Sequence, residues 1–292
     1  MSSDAPTPDP APDVVDEALA ETPQQDYVGD RDLARWPTRI GRRAADLALQ
    51  TGRWVAPNRV LAVTLAVELV LMAVLTALSA GLYDSVTEAD GIAGIDQPVL
   101  DAAIAVRTPV GNRIVTAYTN LGGPVLLPVL AAVVAVALAW LWRQWTPLVL
   151  TTVTGLGSLL LTMVGKALVG RSRPPLAEAV APFESSYSFP SGHSLNAMAL
   201  AGIVAYLLVR KQERSWVRAL TISVASAFAV TMGLSRVYLG HHWLTDVLVA
   251  WTLALAWLAV VITSHRLFIT VRRSADAAGT RSSSFSTDKV GR

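Results

Sequence analysis

No cysteine occurs in the 292 residues. That excludes disulfides, thiolate metal sites and a cysteine nucleophile together. Charge is scarce too. Asp, Glu, Lys and Arg make up 16% of the chain, against about 25% in a typical soluble domain. With 52% of residues hydrophobic, the balance points to a protein partly dissolved in lipid. A formal net charge of +2 is too small to recruit a polyanion, so no nucleic-acid partner is expected. Residues 1–30 lack a basic start followed by an apolar core, so no secretory leader is read there and insertion is expected to use internal segments.

What the chain does have is long apolar runs. About 20 consecutive apolar residues are needed to cross a bilayer core as a helix. Six candidates occur, at 60–82, 124–142, 147–169, 194–209, 217–234 and 243–264. The fourth is short and needs to start at about His193. None alternates with period two, and lipid forces backbone groups to bond internally, so helices are expected and not strands. The predicted fold is an all-α membrane protein, a bundle of six transmembrane helices. Glu68 is the one charge inside the first run, and its role is unassigned. The flanks differ in composition. Residues 1–30 carry Pro6, Pro8, Pro10, Pro12 and Pro23 among acidic residues, and read as a disordered tail. Residues 31–58 form a basic juxtamembrane segment, 59–265 the six-helix domain, and 266–292 a polar C-terminal tail.

Arginine placement orients the bundle. Arg31, Arg35, Arg39, Arg42, Arg43, Arg53 and Arg59 precede the first run. Arg143 follows the second, Arg210, Lys211, Arg214 and Arg218 the fourth, and Arg266, Arg272 and Arg273 the sixth. The positive-inside rule makes that face cytoplasmic, with both termini on it. The connection over 83–123 has only Arg107 and Arg113 against Asp84, Glu88, Asp90, Asp96 and Asp101, and falls on the outer side. Val99, Leu100, Ala103 and Ile104 suggest an interfacial helix within it, an ordinary loop being the alternative. Trp140, Trp142 and Trp145, three of nine tryptophans, fit an aromatic belt.

The exceptions to the arginine pattern are the informative residues. Lys166, Arg171, Arg173 and Arg236 fall at the outer ends of the third and fifth runs, while His193 and His242 begin the fourth and sixth. Ionisable groups at that depth are costly and point to function. Phosphoryl transfer needs cations on the equatorial oxygens, an in-line nucleophile and an acid for the leaving oxygen. Lys166, Arg173 and Arg236 supply cations, and the arginine forks match phosphate oxygens. Ser191 and Gly192 sit where a helix starts, so free N–H groups and the dipole could hold another oxygen. His242 is the favoured nucleophile. Asp246 lies one helical turn later, can accept a hydrogen bond from one ring nitrogen and leaves the other to attack. His241 competes, but five residues separate it from Asp246. His193 would protonate the leaving oxygen and later deprotonate water. Arg171 reads as an accessory or solvated charge, and His265 as interfacial on the opposite face. Without a Walker-type loop or an acidic cluster, neither metal nor cofactor is expected.

Three strings carry these residues in order: Lys166-x6-Arg173-Pro174, Pro190-Ser191-Gly192-His193, and Ser235-Arg236-x5-His242-x3-Asp246. Together they resemble the three-part signature of the type 2 phosphatidic acid phosphatase superfamily, which includes lipid phosphate phosphatases, undecaprenyl diphosphate phosphatases and vanadium haloperoxidases. The resemblance spans about residues 59–265. It implies a metal-independent phosphatase working through a phosphohistidine on His242, with His193 as acid and base. The expected partners are the bilayer and a lipid phosphate: a polyprenyl diphosphate, phosphatidic acid or phosphatidylglycerol phosphate. Catalysis is expected at the extracytoplasmic surface of the cell membrane. A lipid phosphotransferase using the same phosphohistidine is one alternative, and a non-catalytic lipid-binding or transport protein another. The six spans argue against a haloperoxidase, whose relatives are soluble. Oligomeric state has no signal in the sequence.

Overall fold

The computed structural model describes residues 27–28, 31–39, 41–43, 45–46 and 92–287. The first predicted span at 60–82, with Glu68, lies outside the described residues. Tyr27–Val28 (β1) and Arg31–Asp32 (β2), at the end of the predicted tail, pair as a two-residue antiparallel hairpin. All other regular structure among the described residues is helical. Asp96–Ala105 (α1) and Pro109–Asn120 (α2) occupy the outer connection, followed by Leu126–Trp142 (α3), Thr146–Val169 (α4), Gly192–Val209 (α5), Ser215–Tyr238 (α6) and Leu244–Thr287 (α7). The segment left open between interfacial helix and loop is therefore helical, and Leu100 is its buried anchor.

Among the described residues four helices, α4 to α7, are long and apolar enough to span a membrane. At 24 residues, α4 and α6 are each about 36 Å long, which exceeds a hydrocarbon core. The 124–142 run becomes the 17-residue α3, about 26 Å and short of full spanning length. Its first turn is displaced by Gly122, Gly123 and Pro124, which form a turn before the helix. α5 begins at Gly192, one residue before the predicted start at about His193, with Ser191 in the N-cap position.

The centre of the bundle is α5. Leu195, Ala197, Ala199, Leu200 and Ile203 are buried on every side of it, as expected of a helix apolar all round. It packs against α3, α4, α6 and α7. Small residues set the close approaches. A Cβ added at Gly157 of α4 would lie 2.2 Å from the Trp257 ring of α7, whose Nε1 donates to the Thr154 carbonyl at 3.1 Å. Large apolar side chains face outward along the helices instead, among them Val133, Leu141, Leu156, Met163, Val224 and Leu255. A surface of that extent and composition is a lipid-facing one.

At one end of the bundle the basic segment docks on α7. Arg266 donates through Nε to the Leu33 carbonyl and through Nη2 to that of Arg35, both at 2.9 Å. Its guanidinium stacks 4.3 Å from the Trp36 ring centroid, and Arg273 pairs with Asp32 at 2.8 Å. His265 lies towards this end too, bonded to the Tyr206 hydroxyl at 2.8 Å. The chemistry-bearing residues gather at the opposite end.

Candidate active site

Up-and-down connectivity brings four helix ends together: the C-termini of α4 and α6 and the N-termini of α5 and α7. Lys166 is in the last turn of α4, Arg236 in the last turn of α6, His193 in the first turn of α5 and Asp246 in the first turn of α7. Gly170, at φ 60°, closes α4 in the left-handed conformation that suits glycine. From there the 171–191 loop runs across the mouth. Main-chain bonds lace it down, from Ser188 N–H to the Arg171 carbonyl and from Val180 N–H to that of Leu239, both 2.8 Å. The Trp243 indole donates to the Ser172 carbonyl at 3.0 Å.

His242 is the buried centre, 1% exposed. Its Nε2 faces Arg173 Nη1 at 3.1 Å. A guanidinium only donates, so the donors around the ring assign the lone pair to Nε2 and the proton to Nδ1. Nδ1 lies 3.5 Å from Asp246 Oδ2 and 3.3 Å from Ser188 Oγ, and that hydroxyl donates to Asp246. The imidazole–carboxylate approach expected from sequence is thus present but long, and Ser188 bridges the two groups. Asp246 Oδ2 also accepts from the Trp243 N–H at 3.1 Å, half of a capping box on α7. Burial drives the His242 imidazole down to about 4, with Asp246 opposing and Arg173 assisting that shift. His241 turns away: its Nε2 bonds the Val180 carbonyl at 2.6 Å.

The cations converge on the same space. Arg173 donates through Nη1 to the His241 carbonyl at 2.6 Å and through Nε to that of Ser186 at 2.7 Å. Arg236, 2% exposed, donates to Thr119 Oγ1 at 3.2 Å. The Lys166 ammonium bonds the Ser186 hydroxyl and the Tyr187 carbonyl. A carboxylate spans the two arginines: Glu184 Oε2 pairs with Arg173 at 2.7 Å, and Oε1 pairs with Arg236. Burial works against ionising Glu184, but Arg236 and Arg173 outweigh it and hold the carboxyl at about 2. His193 is partly buried and within electrostatic reach of Arg236, Glu184 and His242.

One expectation changes. The Ser191 amide, predicted to face an anion, donates instead to the Asp246 carbonyl at 3.3 Å, since the α5 and α7 starts abut there. Its hydroxyl accepts from Ser194 at 2.8 Å and keeps its own proton to give. The first-turn N–H groups of Gly192 and His193 have no carbonyl inside the helix to bond, which leaves them for an anion. A Cβ at Gly192 would sit 3.1 Å from Thr162 Cγ2, so α4 packs tightly behind it.

Sequence reasoning missed Glu184, Ser188 and Asp96, and undervalued Arg171. Arg171 is not solvated. It pairs with Asp96 at 2.8 Å and with Asp246 at 2.6 Å.

The profile of the PAP2 superfamily matches residues 144–269. Phosphatidylglycerophosphatase B of Bacillus subtilis (strain 168) is 35% identical over 167 residues, covering 57% of this chain and 81% of that relative. The chain belongs to the PAP2 superfamily. A crystal structure of a transmembrane PAP2-type phosphatidylglycerolphosphate phosphatase from Bacillus subtilis shares 31% identity and a TM-score of 0.56, across 67% of this chain and 92% of its own. PAP2 membership together with the phosphatase relative makes this protein a phosphatase, and its apolar helices with that transmembrane neighbour make it a membrane protein.

Proposed function

We propose that this PAP2 protein removes the terminal phosphate of a lipid phosphate through a phosphohistidine at His242. One observation carries the reading: a buried imidazole presents an unprotonated Nε2 to a pocket lined by Lys166, Arg173 and Arg236. Phosphate oxygens would take those three cations and the first-turn N–H groups of α5. Nε2 attacks phosphorus in line, the phosphorus–oxygen bond to the lipid breaks, and His193 gives its proton to the departing oxygen. Asp246, through Ser188, holds the Nδ1 proton and favours the positive charge that forms on the ring. Water then attacks the phosphorus, His193 takes its proton, and the phosphorus–nitrogen bond breaks to release phosphate.

The substrate class is supported by the site's position at the end of apolar helices, where a headgroup can enter while its chains stay in lipid. The Bacillus relatives act on phosphatidylglycerol phosphate by name, which puts that lipid first, ahead of phosphatidic acid and polyprenyl diphosphates. The arginine-rich segment docks at the far end of α7, which supports cytoplasmic termini and an extracytoplasmic site under the positive-inside rule. In this reading residues 59–265 form the phosphatase domain, and 60–82 and α3 complete six helices. Phosphate release from purified protein across a panel of these three lipids and a soluble sugar phosphate is the test. The soluble ester being turned over best would overturn the lipid assignment.

A further inference from the structure

Asp96 belongs to α1, in the connection between the predicted first and second spans, about 150 residues from Asp246 in sequence. Yet it is 3% exposed and points into the start of α7. Oδ1 accepts from the Thr245 N–H at 2.9 Å, and Oδ2 accepts from the Thr245 hydroxyl at 2.6 Å. The first amides of a helix have no partner within it, so Asp96 caps α7 from another element. Its Oδ2 also takes Arg171 Nη2 at 2.8 Å, while Arg171 Nη1 reaches Asp246 Oδ1 at 2.6 Å and Thr245 Oγ1 at 2.8 Å. Arg171 lies over the Trp243 ring at 5.5 Å, which fixes its plane.

We propose that Asp96 and Arg171 are a positioning pair: they hold Asp246 by Oδ1 so that Oδ2 stays turned to Ser188 and His242. The inference rests on His242 being the nucleophile. A carboxylate held at one oxygen loses its torsional freedom, and the other oxygen is then aimed. Both oxygens of Asp246 are thereby committed, Oδ1 to Arg171 and Oδ2 to Ser188 and Trp243. The pair is buried and nearly neutral, with Arg171 10% and Asp96 4% exposed at the side chain. Removing Arg171 therefore leaves two carboxylates without their cation beside the site, and removing Asp96 leaves Arg171 to Asp246 alone. Neither residue touches the cation pocket, so substrate binding is left to Lys166, Arg173 and Arg236.

Opposed pH shifts distinguish this from a merely structural role. His242 is faced by Asp246 of α7, Arg236 of α6, His193 of α5, and Arg173, Glu184 and Ser188 of the loop, and Lys166 of α4 is within electrostatic reach of Asp246. Taking the positive charge from behind Asp246 makes His242 easier to protonate, and taking the negative charge from Asp96 makes it harder. The experiment compares the parent with Arg171→Gln, Arg171→Lys and Asp96→Asn in detergent on an aryl phosphate, whose leaving group needs no proton from His193, measuring kcat, KM and the acidic limb of kcat/KM. Expected for Arg171→Gln is a kcat lower by about 10- to 100-fold, the usual loss when an outer partner orienting a reactive imidazole is removed. KM stays within about threefold, because only orientation at the reacting centre is disturbed. Its acidic limb moves to higher pH, Asp96→Asn moves it to lower pH, and Arg171→Lys restores the parent limb. Unchanged kcat and limb in Arg171→Gln, or shifts of the same sign in both neutralised variants, overturns the proposal. Should Arg171→Gln not fold, the direction of the Asp96→Asn shift decides alone. His242→Ala run beside them reports on the nucleophile separately: activity surviving there sinks the underlying mechanism, whatever the pair does.

Discussion

Arg173 Nη1 and His242 Nε2 stand 3.1 Å apart, donor to lone pair. The same guanidinium that would bind a phosphate oxygen thus marks the nitrogen that would attack phosphorus. Arg173→Lys keeps the charge but gives up the planar fork. A kcat/KM loss of about 10²- to 10³-fold is expected, comparable with deleting one donor of a preorganised anion site. Lipid phosphate release over a range of substrate concentrations measures it. EDTA in the same assay leaves the parent rate unchanged, since the three side-chain cations carry the charge neutralisation in the proposed mechanism.

Nucleophile and acid separate by their intermediates. His242→Ala loses at least about 10³-fold in kcat, as removal of a nucleophile does, and forms no phosphoenzyme. His193→Ala with an aryl phosphate, whose leaving group needs no proton, forms the phosphoenzyme and breaks it down slowly. Rapid quench with labelled substrate reads both. Label retained on the His242→Ala protein would move the nucleophile elsewhere.

The pH dependence follows from burial. A ring held down to about 4 is unprotonated, and able to attack, throughout neutral pH. With an aryl phosphate, whose leaving group needs no proton from His193, the kcat/KM profile therefore stays level as pH falls below 6.5, where a free histidine would already be protonated, and drops as pH passes through about 4. Glu184, held at about 2, remains ionised across that window and does not shape the limb. A limb near 6.5 would contradict the burial argument.

Glu184 bridges Arg173 and Arg236 much as a phosphate would. An incoming anion must displace that carboxylate or share its cations. Glu184→Gln removes the competing charge, so orthovanadate, which mimics five-coordinate phosphorus, inhibits the variant more strongly. The gain is about three- to tenfold, since the carboxylate is partly exposed and its pairing is screened. Inhibition constants measured for both proteins check it, and weaker inhibition of the variant would refute competition.

Much of this site was legible in the sequence because it lies at helix ends, where spacing becomes geometry. Lys166, His193, Arg236 and Asp246 each occupy a terminal turn, so reading four apolar runs placed all four at one end of the bundle. His242 rather than His241 followed from its one-turn offset to Asp246, and the structure turns His241 away to Val180. The residues that were missed come from segments without periodicity. Glu184 and Ser188 sit in a loop whose course is set by long-range bonds such as Val180 to Leu239. Asp96 opens a helix whose apolar stripe was noticed while its acidic end was not. Arg171, an unmatched arginine inside a motif with no solvent-facing reason to be there, was the available clue. The helices were legible in the same way: composition marked 124–142, and α3 occupies all but its first two residues.

Four separate helices each lend the site one end, and none carries a working set of groups alone. Tight seams such as Gly157 against Trp257 hold those ends in mutual register. Catalytic competence is therefore a property of the assembled bundle, finer than its helicity. A detergent that lets α4 slide along α7 by a fraction of a turn would leave circular dichroism untouched and silence the enzyme.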